Sequence, residues 1–280
     1  DYLNQSVTQL GMKKPLIVSD KGVVNSGTIQ HVLDLLQIDY TIYDSINPEP
    51  ELEQVQACID FYLKNQNDSV IAVGGGSVID IGKCVAALAN KQGNIQSYFG
   101  TDKVIGRDIS LIVIPTTSGT GSEVTNIAIL SDTVNQMKQG IVSDYLLPDV
   151  AIISPLMTIS CPASVTAASG VDALVHAIEA YISVNHSDIT DALALQAIEL
   201  IVEYLPKAYA LPSNLLAREK MATASLMAGL AFGNAGVGAV HALAYPLGGK
   251  YKMAHGVSNA LMLPYVLKWN VLGLSLIHIS

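Results

Sequence analysis

Short, continuous apolar runs alternate with segments of helical spacing through the first 155 residues, and this rhythm limits the fold more than any other feature. The apolar runs are Pro15 to Asp20, Tyr40 to Ile46, Ser69 to Val73, Ile109 to Pro115 and Val150 to Ser154, with smaller ones at Val124 to Leu130 and Gln139 to Ser143. The helical stretches between them run from Ser26 to Leu36, from Glu51 to Leu63, and from the glycines after Val73 through Ala89. Strands without polar alternation are buried on both faces, so the pattern predicts an α/β class fold: a Rossmann-like parallel sheet with helices on either side. After Pro155 the strand pattern stops. Helical spacing covers Pro162 to Ser183, then a segment capped by Ser187 or Asp188 and running through Ala208, then Asn214 to Phe232. The change predicts two domains, a dinucleotide-binding α/β domain over 1–157 and an all-helical domain over 158–273.

Composition narrows the function. Half of the 280 residues are hydrophobic and 14% are charged, which describes a large buried core. A net charge of -9 leaves no basic footprint for nucleic acid. No apolar run reaches the length of a membrane span. Cys58, Cys84 and Cys161 are odd in number and far apart, so we expect buried thiols, reduced as in a cytoplasmic protein.

Three stretches carry chemistry. Gly74-Gly75-Gly76-Ser77 follows a strand and opens a helix, where bare backbone N–H groups suit a pyrophosphate. By themselves the glycines fit a plain tight turn equally well. Pro115-Thr116-Thr117-Ser118-Gly119-Thr120-Gly121-Ser122-Glu123 is a second polar loop at a strand end, able to grip ribose and nicotinamide, or simply solvated. Ligands of open α/β sheets bind beyond such ends, where Asp20 also lies. Asp172 and His176 are four apart on a helix and leave the same face, so they can close on one divalent cation. The pair also fits a solvated or capping arrangement. His241 and His255 lie in a second cluster and would complete one carboxylate and three imidazoles.

Together, in order and over residues 10 to 272, these motifs resemble the iron-containing (group III) alcohol dehydrogenases. The match runs through Gly74-Gly75-Gly76-Ser77-x-x-Asp80, the Pro115-to-Glu123 loop, Gly170-x-Asp172-Ala173-Leu174-x-His176-Ala177-Ile178-Glu179, His241 with Leu247-Gly248-Gly249, and His255-Gly256. The resemblance implies a two-domain, dehydroquinate synthase-like fold and hydride transfer between an alcohol and NAD(P), giving an aldehyde or ketone. It implies metal ligands at Asp172, His176, His241 and His255, holding Fe(II) or sometimes Zn(II). It also implies dinucleotide contacts from Asp20, Gly74, Gly75, Gly76, Ser77, Asp80, Thr116, Thr117, Thr120 and Lys138. The divalent ion would polarise the alcohol oxygen while the nicotinamide takes the hydride. A carboxylate at Asp20 would favour NAD over NADP, unless Asp20 only caps the following turn. The alternatives are a glycerol dehydrogenase or dehydroquinate synthase-like relative, or a truncated chain that binds nucleotide without turnover. Partners would be a small alcohol or aldehyde, and a homo-oligomer is an open expectation for a full-length protein.

Two features depart from the family. Many members carry a second His four residues after the first cluster His, where this chain has Tyr245. The family's helical domain also continues past residue 272. Leu274 to Ser280 reads like a translated library transposon end, so we expect these residues to be foreign and the domain incomplete. His278 is accordingly given no role.

Overall fold

The computed structural model describes residues 2–132 and 137–278, with side chains through Leu272. In chain order the elements are α1 (Tyr2–Gln9), β1 (Pro15–Val18), α2 (Lys21–Asn25), α3 (Gln30–Leu33), β2 (Thr41–Tyr43), α4 (Leu52–Lys64), β3 (Ser69–Gly74) and α5 (Gly76–Leu88). Then come β4 (Gly100–Thr101), β5 (Ser110–Pro115), β6 (Ile127–Asp132), β7 (Met137–Val142) and β8 (Val150–Ala151). The helices α6 (Ala163–Tyr181), α7 (Asp188–Ala210), α8 (Leu215–Ala235), α9 (Ala239–Tyr251) and α10 (His255–His278) complete the chain.

The main sheet has the order β2-β1-β3-β5-β8 and is parallel throughout. Its central strands are buried at every position, as their unbroken apolar character requires. Alternate residues serve opposite faces. Leu16, Val18, Val70, Ala72, Leu111 and Val113 pack with Val55 and Ile59 of α4 and Ile79 and Cys84 of α5. Ile17, Ile71, Val73, Ile112 and Ile114 pack with Leu3 and Val7 of α1 and Val32 of α3. Each fully buried aliphatic side chain contributes about 1.5–3 kcal/mol before entropy is counted. The order reverses between β1 and β3, so the crevice of a doubly wound sheet lies at their carboxyl ends. There the chain turns into Asp20, the glycine run and Thr116, with the Thr116 N–H donating to Gly74 O at 2.9 Å.

Several expectations are refined. Of the helix expected over 26–36 only α3, at Gln30–Leu33, is formed as an α-helix; α2 lies ahead of that stretch, and Gly27 at φ +77° stands between the two. The runs at 124–130 and 139–143 shift to β6 and β7 and form an antiparallel hairpin in a separate sheet with β4. Helix α1 and strand β4 are additional. The cysteines are free and buried, as expected.

From Ala163 onward the chain is helical. Helices α6, α7 and α8 meet through small side chains: Ala173, Ala177 and Ala180; Ala194 and Ala197; Ala217, Ala224, Ala228 and Ala231. Their methyl groups let the axes approach closely, and Ile201 and Met221 fill what remains. Helices α9 and α10 lie beyond the last helix read from the sequence. Among the described residues no single helix is long and apolar enough to cross a membrane; α8 and α9 pass that test only as a pair bent by 104°. For the tail expected to be foreign, the α10 backbone is described through His278, and the side chains from 273 on lie outside the described residues.

Candidate metal centre and nucleotide cleft

Asp172 and His176 project one turn apart from the buried face of α6. His241 enters from the first turn of α9, and His255 opens α10. The break between α9 and α10 is made at Lys252, which adopts φ +52°. One ligand atom from each of the four lies within 4.8 Å of the others. Asp172, His176 and His241 are buried, and His255 is partly so. Asp172 Oδ1 stands 3.6 Å from His255 Nε2 and 3.8 Å from His241 Nε2, too long for direct hydrogen bonds.

The protein fixes the ring nitrogens from behind. His176 Nδ1 lies 3.2 Å from Gly119 O, and a carbonyl only accepts, so the proton is on Nδ1 and Nε2 keeps its lone pair. His241 Nδ1 lies 2.6 Å from Glu179 Oε2, while Glu179 Oε1 accepts from Val240 N–H at 2.6 Å. Nε2 of His241 is thereby turned toward Asp172. His176 stacks between Phe232 and His241, with ring centroids 4.2 and 4.5 Å away.

Charge follows from burial. Desolvation drives the His176 imidazole down to about 3 and also lowers His255, so both are neutral at ordinary pH. Burial pulls the Asp172 carboxyl upward, but the imidazoles of His176, His255 and His241 and the Asn259 amide outweigh it and hold Asp172 below its usual value. One carboxylate and three imidazoles, with the His176 and His241 rings oriented by outer partners, form a donor set that fits Fe(II) or Zn(II).

These residues form one wall of a cleft of about 480 Å³. Asp172, His176, Phe232, His241, Tyr245 and His255 line it on the helical side, and Gly76, Ser77, Asp80, Thr120, Ser122 and Lys138 on the sheet side. A Cβ on Gly76 would fall 2.7 Å from Thr120 Cγ2, so hydrogen there lets the two polar loops touch. Gly121 takes a left-handed φ of +62° and lies against Gly229 of α8, carrying the second loop onto the helices. That contact brings the Gly119 carbonyl to His176.

The expected dinucleotide residues divide. Gly76, Ser77, Asp80, Thr120 and Lys138 line the cleft; Asp20, Gly74, Gly75, Thr116 and Thr117 are outside its lining. Asp20 caps α2, with Oδ1 accepting from Val23 N–H at 3.0 Å. Ser77 Oγ donates to Pro48 O. Asp80 accepts from Ser122 Oγ and from Ile129 N–H, the latter at 3.0 Å, and pairs with Lys83 at 3.9 Å. Lys138 pairs with Glu49 at 3.2 Å. Tyr245 stacks parallel to His255 at 5.9 Å, and burial raises its hydroxyl above the ordinary phenol value, so it stays neutral.

Glu179, Asn259 and the Gly119 carbonyl escaped the sequence reading as site groups. Glu179 had a signal, being three residues beyond His176 and seven beyond Asp172 on one helix face. Asn259 shares a face with His255 one turn earlier, but required α10 to be recognised.

Comparison with known proteins shows the family. The family model for iron-containing alcohol dehydrogenase matches residues 1–155, and that for the Fe-containing alcohol dehydrogenase family, C-terminal, matches 166–272. Long-chain-alcohol dehydrogenase 1 of Geobacillus thermodenitrificans is 48% identical over 273 residues, covering 95% of this chain and 69% of that protein. The crystal structure of a 1,3-propanediol oxidoreductase, 44% identical, superposes with a TM-score of 0.92 over 96% of this chain and 71% of that one. Sulfoacetaldehyde reductase from Bifidobacterium kashiwanohense, solved in complex with NAD+, gives 0.90 at 37% identity over 95% and 71%. Matched along both its α/β and helical parts, the chain belongs to the iron-containing alcohol dehydrogenase family, as a metal-dependent oxidoreductase of alcohols and aldehydes.

Proposed function

We propose that this protein uses NAD as its hydride partner and Fe(II) as its metal, held by Asp172, His176, His241 and His255. The observation that carries the reading is one cleft with two chemically distinct walls. Four convergent ligand atoms stand on one side, and the amino end of α5 with Gly76, Ser77 and Thr120 stands on the other. In this reading residues 1–157 bind the nucleotide and 158–273 bind the metal. When bound, the ion supplies Lewis acidity toward an alcohol or carbonyl oxygen.

The chain's own residues do the rest. Gly119 O and Glu179 keep the His176 and His241 protons on Nδ1, leaving Nε2 free to ligate. The Gly74, Gly75 and Gly76 backbone and Ser77 at the start of α5 offer N–H groups to phosphate oxygens. Thr116, Thr117 and Thr120 shape the adjoining loop, with a Cβ on Gly75 set to lie 3.4 Å from Thr117. Lys138 brings a cation to the cleft, and Asp80 is spent on holding Ser122 and Ile129 in place. Asp20 accepts from the adenosine ribose hydroxyls with the oxygen left over from capping. Phe232 covers one face of His176 and keeps water from it.

The test is alcohol oxidation followed at the reduced-nicotinamide absorbance band, with protein stripped by a chelator and reloaded with Fe(II) or Zn(II). Turnover should vanish on chelation, return most fully with Fe(II), and prefer NAD over NADP, while nucleotide binding survives chelation. Full turnover in the stripped protein would overturn the metal assignment. A preference for NADP would overturn the cofactor assignment.

A further inference from the structure

Asn259 stands one turn along α10 from His255, wholly buried. Its Nδ2 is 2.6 Å from Asp172 Oδ1, 3.1 Å from His241 Nε2 and 3.2 Å from His255 Nε2. Those atoms belong to three of the four side chains that form the ligand group. An amide NH2 is donor only, and here its two hydrogens face three lone pairs. The other end of the amide has no such company: Asn259 Oδ1 is buried with no hydrogen-bond partner among the described residues. Turning the amide over would press its oxygen against the Asp172 carboxylate, two acceptors with no proton between them. The lone-pair cluster therefore selects the NH2 end although the oxygen goes unpaired.

A cation draws on the same lone pairs, and one lone pair cannot serve both an N–H and a metal ion. Resting on the reading of these ligands as a metal centre, we propose that Asn259 is a positioning residue in competition with the metal. Its amide gathers Asp172, His241 and His255 when no ion is bound and gives those atoms up when one binds. Whatever stabilises the ion-free form alone weakens ion binding by the same free energy. Asn259 thus holds the ligands ready and also limits how tightly the ion is kept. A residue that merely packed α10 against α6 would stabilise both forms alike.

The experiment compares wild type with Asn259→Leu, close in volume but without a donor. Melting is measured on apoprotein and on Zn(II)-saturated protein, and the Zn(II) dissociation constant by competition with a chromophoric chelator. Apo Asn259→Leu should melt below apo wild type, the two Zn(II) forms should melt close together, and the variant should bind Zn(II) roughly tenfold more tightly. Equal loss of melting temperature in both forms, or weaker Zn(II) binding, overturns the proposal. If the apo Leu variant does not fold, Asn259→Asp takes its place; its carboxylate repels Asp172 without an ion, so tighter Zn(II) binding is expected and weaker binding overturns the idea. His241→Ala separates the two levels of inference. Undiminished Zn(II) affinity in that variant would remove the metal centre itself, whereas its loss beside an unresponsive Asn259→Leu would remove only the role given to Asn259.

Discussion

Replacing Glu179 by Gln changes one atom and should uncouple His241 from the metal. In the structure both carboxylate oxygens accept: Oε1 from Val240 N–H and Oε2 from His241 Nδ1–H, each at 2.6 Å. Burial pushes this carboxyl up, but the His241 hydrogen bond and the Gly238 and Val240 backbone outweigh it, so Glu179 sits below the ordinary range and is charged at neutral pH. Gln offers one acceptor and one NH2. If its oxygen faces Val240, the NH2 faces His241 Nδ1. The imidazole then either meets donor against donor or moves its proton to Nε2, the atom proposed to ligate. Losing a charge-assisted bond in a buried site costs about 1.5–3 kcal/mol. That agrees with the roughly 10- to 100-fold loss of metal affinity found when a ligand's outer partner is removed. Chelator competition on wild type and Glu179→Gln measures this loss directly. Affinity within twofold of wild type would refute the claim that Glu179 sets the tautomer. The sign with pH is also fixed: a depressed carboxyl contributes above its unfolded value of about 4.5, and the contribution is lost as acid carries it through its folded one.

Further outcomes are expected elsewhere. A Cβ on Gly256 would fall 2.1 Å from Ala168 O, so Gly256→Ala should push α10 off α6, costing about 1–3 kcal/mol by melting and lowering metal content by elemental analysis. Buried Lys83, its Nζ 2.9 Å from Ile127 O, is driven by desolvation from 10.5 down to about 8. Below pH 8 it is charged in both folded and unfolded chains; between 8 and 10.5 only the unfolded chain keeps the proton, so stability should rise with pH there, by about 3 kcal/mol from this group. Denaturant titrations of wild type minus Lys83→Met should show that slope, and an equal slope in both would refute it. Asp20→Gly should narrow the preference for NAD roughly several-fold by admitting NADP, read as kcat/KM for each cofactor, because the 2′-phosphate no longer meets a carboxylate.

Much of this site was legible in the chain because its parts obey local rules. Asp172 and His176 sit at helical spacing, where one turn of sequence sets one face, and the two polar loops sit at strand ends; His241 and His255 were reached through the family motifs instead. The parallel sheet announced itself through strands such as Val70 to Val73, apolar at every position. What stayed hidden depends on distant chain. Helices α9 and α10 carry Pro246 and Pro264 inside them, which mask the periodicity that marks a helix. Without α10, Asn259 had no address. The Gly119 carbonyl is a backbone atom, and no side-chain pattern reports where a carbonyl points. The helix read from Ser26 starts late, at Gln30, and the left-handed φ of Gly27 shows why.

The Gly119–His176 contact has a thermodynamic consequence. It is a strut between the loop proposed to meet the nucleotide and a side chain proposed to hold the metal, 57 residues apart in sequence. A nucleotide that moves the loop changes the acceptor behind His176, and with it the strength of the imidazole as a donor to the ion. Linkage makes that coupling reciprocal: the factor by which nucleotide alters metal affinity is the factor by which metal alters nucleotide affinity. The order in which the two are loaded therefore cannot change the final population of the doubly loaded protein. It can change only which half-loaded form accumulates on the way.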